Sequence, residues 1–585
     1  MKAIKKGIAG GLLGYLNKMG ITWGEDELYR LIEIPPDSNL GDFSFPVFTF
    51  ARELRQNPAG ISAAIAAQMA LPPYISRMAS VGGYVNFFAD RKGYGEYVLS
   101  QIIRQGRDYG RSRQGEGKTI VIDFCAANIA KPFHMGHLPT TVIGGALCHI
   151  YRFLGYRVAG INHLGDWGTQ FGKLITAYRK WGDPKKIEKN PIKELVAIYV
   201  RFHEEAEKDG SLNDQARAAF KALEDGKEEN VRLWQWFRKV SIDEFRRILE
   251  LLNIGFDSWD GESFYTDKME PVVQELDKKG LLVESEGAKI VDLAQYAMPP
   301  CLILRRDGAT LYATRDLAAL LYRSENYRFH KALYCVGVHQ ELHFRQVFKV
   351  AELLGYARGE SLVHVANGVI SLESGSMGTR RGSVIYLEEV LKEAVSKAAH
   401  IIEDKNPRLE DKEEVARMVG VGAVKFSALK NKRTKDSVFV WEKVLNFEGE
   451  TSCYIQYTYA RISSLLRKAP DQWNEGKKAD SLSGGGNVVT PDYEGLSDNG
   501  SFEVVKLLAR FPQAVRDAGE QYEPSIISGF LLDLCQGYNR FYHEKPILKE
   551  TDMAVRNARL LLSAAVKNVV GTGMALLGIE CPESM

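Results

Sequence analysis

The stretch from Thr119 to Asn162 constrains the fold most. Thr119–Asp123 is a short β-branched run that reads as a buried strand. His137–Leu154 has helical character and stops at Gly155, and Val158–Asn162 reads as the next strand. Strand, helix and strand at this length form a βαβ unit, with parallel strands and a helix on the sheet face. A parallel sheet covered by helices is therefore expected, and the rest of the chain has to be arranged around it.

Before that unit, residues 1–103 read as a small α+β body. Glu53–Ala70 has helical periodicity, and Ser80–Ala89 alternates like a strand. Arg104–Gly117, rich in Arg and Gly, reads as a linker. After the unit, residues 185–252 are charged and helical, an insertion between sheet segments. The sheet is expected to resume near Ala332–Gly337 and Leu362–Ile370. From Glu388 onward nearly everything reads as helix, interrupted by an exposed loop at Asp480–Ser501 that contains Gly484–Gly486. The expected architecture is a multidomain α/β protein: an N-terminal α+β domain (1–110), a central α/β domain with a parallel sheet (118–405) and a C-terminal all-α bundle (406–585).

Composition excludes several classes. The chain's 76 Lys+Arg against 74 Asp+Glu rule out a globally basic nucleic-acid coat. Residues 421–470 are locally basic, with nine Lys/Arg against four acids, which suits either polyanion steering or a solvated helical face. Seven cysteines without a C-x-x-C pair argue against a disulfide framework or structural zinc, and for a reducing compartment. Lys567 interrupts the apolar run Leu560–Ile579, so no membrane span is expected. The start, with Lys2, Lys5 and Lys6 before a mildly apolar Gly7–Leu16, lacks a small-x-small cleavage site and reads as the first helix of a cytoplasmic protein.

The chemistry concentrates in Val121–Thr141, VIDFCAANIAKPFHMGHLPTT. A buried strand ends in a loop that feeds a helix start, and ligands of open α/β sheets collect there. Lys131, His134, Gly136 and His137 stand at that location. Two imidazoles and an ammonium near a helix N-terminus suit a phosphate, and Gly136 lets a base or ribose approach the backbone. Other phosphate motifs fail. No Gly-x-Gly-x-x-Gly follows a strand, and Gly172-Lys173 lacks the Ser/Thr of a P-loop.

Asn128–Leu138 (NIAKPFHMGHL) followed by Ile161–Leu174 (INHLGDWGTQFGKL) resembles the arginyl-tRNA synthetase family of class I, whose His-x-Gly-His signature matches His134–His137. Leu311–Asp316 resembles the family's Tyr-x-x-Arg-Asp helix. Gln340–Phe344 resembles its Gln-x-Leu-His-Phe segment, and Tyr457–Ala469 the start of its helical anticodon-binding domain. Gly41-Asp42-Phe43 and Gly83–Phe88 resemble its N-terminal tRNA-binding domain. The resemblance runs end to end, with the motifs in order.

The resemblance implies a Rossmann-like catalytic domain and an enzyme that joins L-arginine to tRNA at the expense of ATP. Lys131, His134 and His137, with Arg380 and Arg381, would stabilise the reacting phosphate. His134, Gly136, His137 and Met377 would bind ATP, which would bring Mg²⁺. Asp316, Tyr312 and Gln340 would hold the guanidinium, while Asp123, Asn128 and His137 would hold the other end of the arginine. No protein metal site is implied, and a monomer is expected. The Lys-Met-Ser-Lys-Ser-type loop corresponds to Ser376–Gly382, where Ser376 and Thr379 replace both signature lysines and Arg380 and Arg381 supply cations nearby. Ala126, Ala127 and Pro139 also depart from the family pattern. The missing lysines keep a second reading open, a catalytically weak paralogue that binds tRNA as a regulatory module. A class I synthetase for another amino acid is disfavoured by Asp316 and Tyr312. A nucleotide-binding oxidoreductase is disfavoured by the missing dinucleotide fingerprint. In the C-terminal third, Tyr454, Tyr457 and Tyr459 interleave with basic residues, and Tyr538 and Tyr542 lie on a further helix. That composition suits phosphate contacts and base stacking.

Overall fold

The computed structural model describes residues 2–372, 385–470 and 491–585. They group into two compact bodies. The first comprises Met1–Gly110, Thr458–Ala514 and Phe530–Thr572, and the second Arg111–Tyr457, Val515–Gly529 and Gly573–Met585.

In the first body, three strands form an antiparallel sheet in the order β1-β3-β2: β1 (Phe43–Pro46), β2 (Ile75–Val81) and β3 (Tyr84–Ala89). The run read as one strand, Ser80–Ala89, is in fact a hairpin. Val81 pairs with Tyr84 across Gly82-Gly83, and Gly82 has φ +59°. A two-residue hairpin turn needs that left-handed backbone, which glycine adopts without strain. Val85, Phe87 and Ala89 point into the core. Asp42 is also buried and accepts the Ala89 backbone N–H at 3.0 Å, so its carboxylate secures the sheet. The helical reading of Glu53–Ala70 resolves into helices Phe48–Leu54 and Pro58–Gln68. Proline at the second helix's first turn loses no hydrogen bond. Of the tyrosines suited to stacking, Tyr459 and Tyr538 are buried here, and the Tyr538 hydroxyl is bonded to Ser563. Their aromatic surface serves packing.

The second body is built on a four-stranded parallel sheet in the order β10-β9-β4-β5: β4 (Thr119–Asp123), β5 (Arg157–Ile161), β9 (Lys331–Tyr334) and β10 (Leu362–His364). This is the parallel, Rossmann-like α/β arrangement expected from the βαβ unit and the family resemblance. The Leu138–Phe153 helix connects β4 to β5 and is buried on nearly all sides, in keeping with its apolar and glycine-rich middle, Val142–Cys148. After the Thr169–Trp181 helix, helices Pro184–Lys189, Pro191–Lys208, Ser211–Glu224 and Glu228–Leu251 fill the insertion.

Between insertion and β9 lies a three-stranded antiparallel sheet that the sequence does not announce: β6 (Leu282–Ser285), β7 (Ala288–Val291) and β8 (Cys301–Leu304). Its four-residue strands leave half or more of their side chains at least partly exposed, so no apolar alternation marks them. A second unannounced pairing joins β11 (Ile370–Leu372) in parallel to β12 (Ser437–Phe439), within the region read as helical. Helices Leu387–Lys405 and Lys412–Leu429 separate the two strands.

The locally basic stretch is not a single face. Lys425 is 2% exposed, and its ammonium donates to the carbonyls of Leu252 and Gly578. Burial lowers its pKa to about 7. Arg433 donates to the carbonyls of Ala366 and Tyr522. Both cations serve the interior of this body. None of the seven cysteines is disulfide-bonded, and six of them are buried. Among the described residues, no helix is long and apolar enough to cross a membrane.

Candidate active site

In the second body, β4 connects to β5 on one side while β9 and β10 extend the sheet on the other. The strand order therefore reverses between β4 and β9. Open α/β sheets bind ligands beyond the carboxyl ends of the strands at such a switch point. The loops after β4 and β9 carry most of the residues singled out from sequence, and the Thr140 hydroxyl joins them by donating to the Cys335 carbonyl.

The loop after β4 holds an unusual backbone. Cys125, Ala126 and Ala130 all have positive φ (75°, 48° and 57°), a conformation costing about 1–3 kcal/mol per non-glycine residue. The surroundings hold it there. The Ala130 N–H donates to Ser241 Oγ at 3.0 Å, and Ala127 and Ile129 pair with Gly165 on either side of Asn128. Asn128 is thereby exposed at the rim.

His134, Gly136 and His137 form a closed hydrogen-bonded turn. The Gly136 N–H donates to His134 Nδ1 at 3.0 Å, and the His134 N–H donates to His137 Nδ1 at 3.2 Å. A ring nitrogen that accepts an N–H carries no proton, so each neutral imidazole bears its proton on Nε2. Burial lowers the pKa of both rings, and His137, with His134 as a second cause, falls to about 3. At neutral pH the pair thus presents neutral Nε2–H donors rather than cations. His137 stacks on Phe133 (5.0 Å between centroids, 7° between planes). A Cβ on residue 136 would lie 2.8 Å from the His134 ring, so this position requires glycine. The positive charge comes from Lys131, which is partly buried and whose pKa is lowered by desolvation alone. Immediately after residue 384 the chain docks on the same turn. Met135 N–H donates to Ile385 O, and Leu387 N–H to Phe133 O. Met377, Arg380 and Arg381 lie outside the described residues, as do Ser376 and Thr379.

The Tyr312–Tyr327 helix supplies the second group. Tyr312, 69% exposed, opens it, and Asp316 follows one turn later. The two arginines beside Asp316 on this helix are engaged elsewhere. Arg315 pairs with Glu262 at 3.1 Å, and Arg323, 1% exposed, pairs with Asp123 Oδ2 at 2.8 Å. Asp123 at the end of β4 is therefore a paired, buried carboxylate. Asp316 instead accepts from His343 Nε2 at 2.6 Å. Gln340 is exposed at the N-cap of the Glu341–Leu354 helix, three residues before His343.

Two residues to which the sequence reading gave no role belong to this group. Glu262 lies on a turn fixed by its own N–H to Leu164 O (2.9 Å). Asp166, fully buried, accepts from Ser263 N, Ser263 Oγ and Arg238 Nε. Desolvation raises the Glu262 pKa to about 7; Arg315 opposes the rise, and Asp316 and Asp166 add to it. The only hint in the sequence is Gly261 between two acids after a helical insertion. His343 is the second, quoted within a motif but without a role.

Residues 98–441 match the family described as tRNA synthetases class I (R), catalytic domain. Residues 455–585 match the DALR anticodon binding domain, and residues 8–89 the arginyl tRNA synthetase N terminal domain. A protein of Halothermothrix orenii named arginine–tRNA ligase is 49% identical over 560 residues, covering 96% of each chain. One of the same name from Alkaliphilus metalliredigens is 48% identical, covering 96% of this chain and 97% of the relative. Among solved structures, Thermus thermophilus arginyl-tRNA synthetase superposes over 100% of both chains (TM-score 0.79, 24% identity). The Plasmodium falciparum arginyl-tRNA synthetase gives a TM-score of 0.78 at 21% identity, over 100% of this chain and 99% of that one; both likenesses concern the fold. With end-to-end sequence identity far above what a shared fold requires, the chain belongs to the arginyl-tRNA synthetase family of class I aminoacyl-tRNA synthetases.

Proposed function

We propose that the protein is an arginine–tRNA ligase. The observation that carries this reading is its near-full-length likeness to proteins of that name. The arginine carboxylate attacks the α-phosphorus of ATP and pyrophosphate leaves. A hydroxyl of the terminal tRNA ribose then attacks the arginyl carbonyl and AMP leaves. His134 and His137 act as neutral Nε2–H donors to phosphate oxygens, and Lys131 supplies charge. Arg380 and Arg381 add cations, and Gly136 and Met377 border the nucleotide. Asp316, Tyr312 and Gln340 face the guanidinium. Asp123, held by Arg323, works with Asn128 and His137 at the α-amino and carboxylate end. Mg²⁺ arrives on the ATP phosphates. The proposed division is 1–110 for an N-terminal tRNA-binding domain, 118–405 for catalysis and 406–585 for the anticodon arm. The chain works as a monomer in the cytoplasm.

The test is charging of unfractionated tRNA with labelled arginine in ATP and Mg²⁺, beside lysine. Arginine-only charging is expected. Retained tRNA binding without charging would replace this reading with that of a non-catalytic tRNA-binding module.

Glu262 is proposed as a second carboxylate for the guanidinium, and its raised pKa makes arginine binding pH-dependent. Only the ionised form pairs with a cation, so below about pH 7 binding must expel a proton. The arginine KM is expected to fall as pH rises from about 6 toward 8 and then level, by at most about tenfold per unit. In Glu262→Gln the KM should be higher and without this slope. A flat wild-type profile, or an unchanged slope in the variant, would remove Glu262 from the site.

A further inference from the structure

We propose that His343 is a positioning residue that fixes the Asp316 carboxylate in the plane a guanidinium requires. The proposal rests on the arginine–tRNA ligase reading. An aspartate carboxylate rotates in a broad, soft torsional well. Two parallel hydrogen bonds to a guanidinium form only when carboxylate and guanidinium lie in one plane. The neighbouring cations that could hold Asp316, Arg315 and Arg323, are paired with Glu262 and Asp123. His343 takes their place, with Nε2 2.6 Å from Asp316 Oδ2.

The histidine is itself anchored. It stands in the first turn of the Glu341–Leu354 helix, edge-on to Phe344 (5.3 Å, 78°). The Phe344 ring packs on Tyr334 at the end of β9 (5.2 Å) and His364 at the end of β10 (5.0 Å). The orientation of Asp316 is thereby referred to the parallel sheet, which also carries the proposed ATP-binding turn. One bond from His343 leaves the carboxylate ample acceptor capacity, since two oxygens offer about four lone-pair sites. A lysine ammonium is a point charge and gains less from a fixed plane. His343 therefore contributes to selection of arginine as well as to affinity.

The experiment compares His343→Leu with His343→Gln in the full-length protein, by arginine charging of tRNA. The glutamine amide nitrogen can occupy roughly the place of the imidazole Nε2 and donate to Asp316. The arginine KM of His343→Leu should rise about tenfold or more, the loss of a hydrogen bond to a charged group. Its kcat and its KM for ATP should stay within about threefold of wild type, as should all constants of His343→Gln. An unchanged arginine KM in His343→Leu, equal losses in both variants, or a parallel rise in the KM for ATP would each overturn the positioning role. Absence of arginine charging in the wild-type protein is a different result and would end the functional reading itself.

Discussion

Replacing Lys131 with alanine is expected to slow arginyl-adenylate formation by about 10²–10³-fold, or about 2.7–4 kcal/mol of transition-state stabilisation. Lys131 follows the strained loop after β4 and precedes the His134–His137 turn. Its pKa is lowered by desolvation, and no acidic partner contributes to offset this. A partly buried ammonium without such compensation is held ready for an anion. The two imidazoles beside it are neutral donors, since Nδ1 of each already accepts a backbone N–H. Lys131 is thus the one cation that the described part of this loop offers to the crowded phosphate. Single-turnover adenylate formation, with tRNA present and ATP saturating, measures the effect. A rate within about threefold of wild type would assign the charge stabilisation elsewhere, with Arg380 and Arg381 the first residues to examine.

Asp316→Asn is expected to raise the arginine KM by about 30- to 4,000-fold, the equivalent of about 2–5 kcal/mol for truncating one partner of a desolvated charge pair. Asparagine keeps the size of the side chain and can still accept from His343 through its carbonyl. Only the charge and the second acceptor oxygen are lost. With Glu262 as the proposed second carboxylate, binding should weaken without vanishing. Steady-state charging over a wide arginine range gives KM and kcat separately. A near-normal arginine KM would show that the Tyr312–Tyr327 helix does not face the substrate.

The His134–His137 turn and Lys131 were legible in the sequence because their chemistry is local. The residues stand within seven positions of one another and follow a β-branched strand, so spacing alone brings them together. The parallel sheet was legible for the same reason, through the βαβ unit of Thr119–Asn162. The small sheet β6-β7-β8 was not, because its short strands face solvent on much of their length and leave no periodic signal. The pairing of Ile370–Leu372 with Ser437–Phe439 was hidden by two intervening helices. The basic run at 421–470 was misleading for a related reason. Net charge counts Lys425 with the rest, whereas the fold places its ammonium on two carbonyls in the interior.

Charge partners divide in the same way. The sequence alone put Tyr312 and Asp316 on one helix face, because a helix repeats every 3.6 residues. Along the chain the cations nearest to Asp316 are Arg315 and Arg323. Tertiary structure sent them to Glu262 and Asp123 and brought His343 to Asp316. It also raised the proton affinity of Glu262 by burying it beside two other carboxylates. The physical reason is range. A hydrogen bond or close ion pair forms only within about 3–4 Å, and which groups meet at that distance depends on how distant segments pack, not on their spacing along the chain.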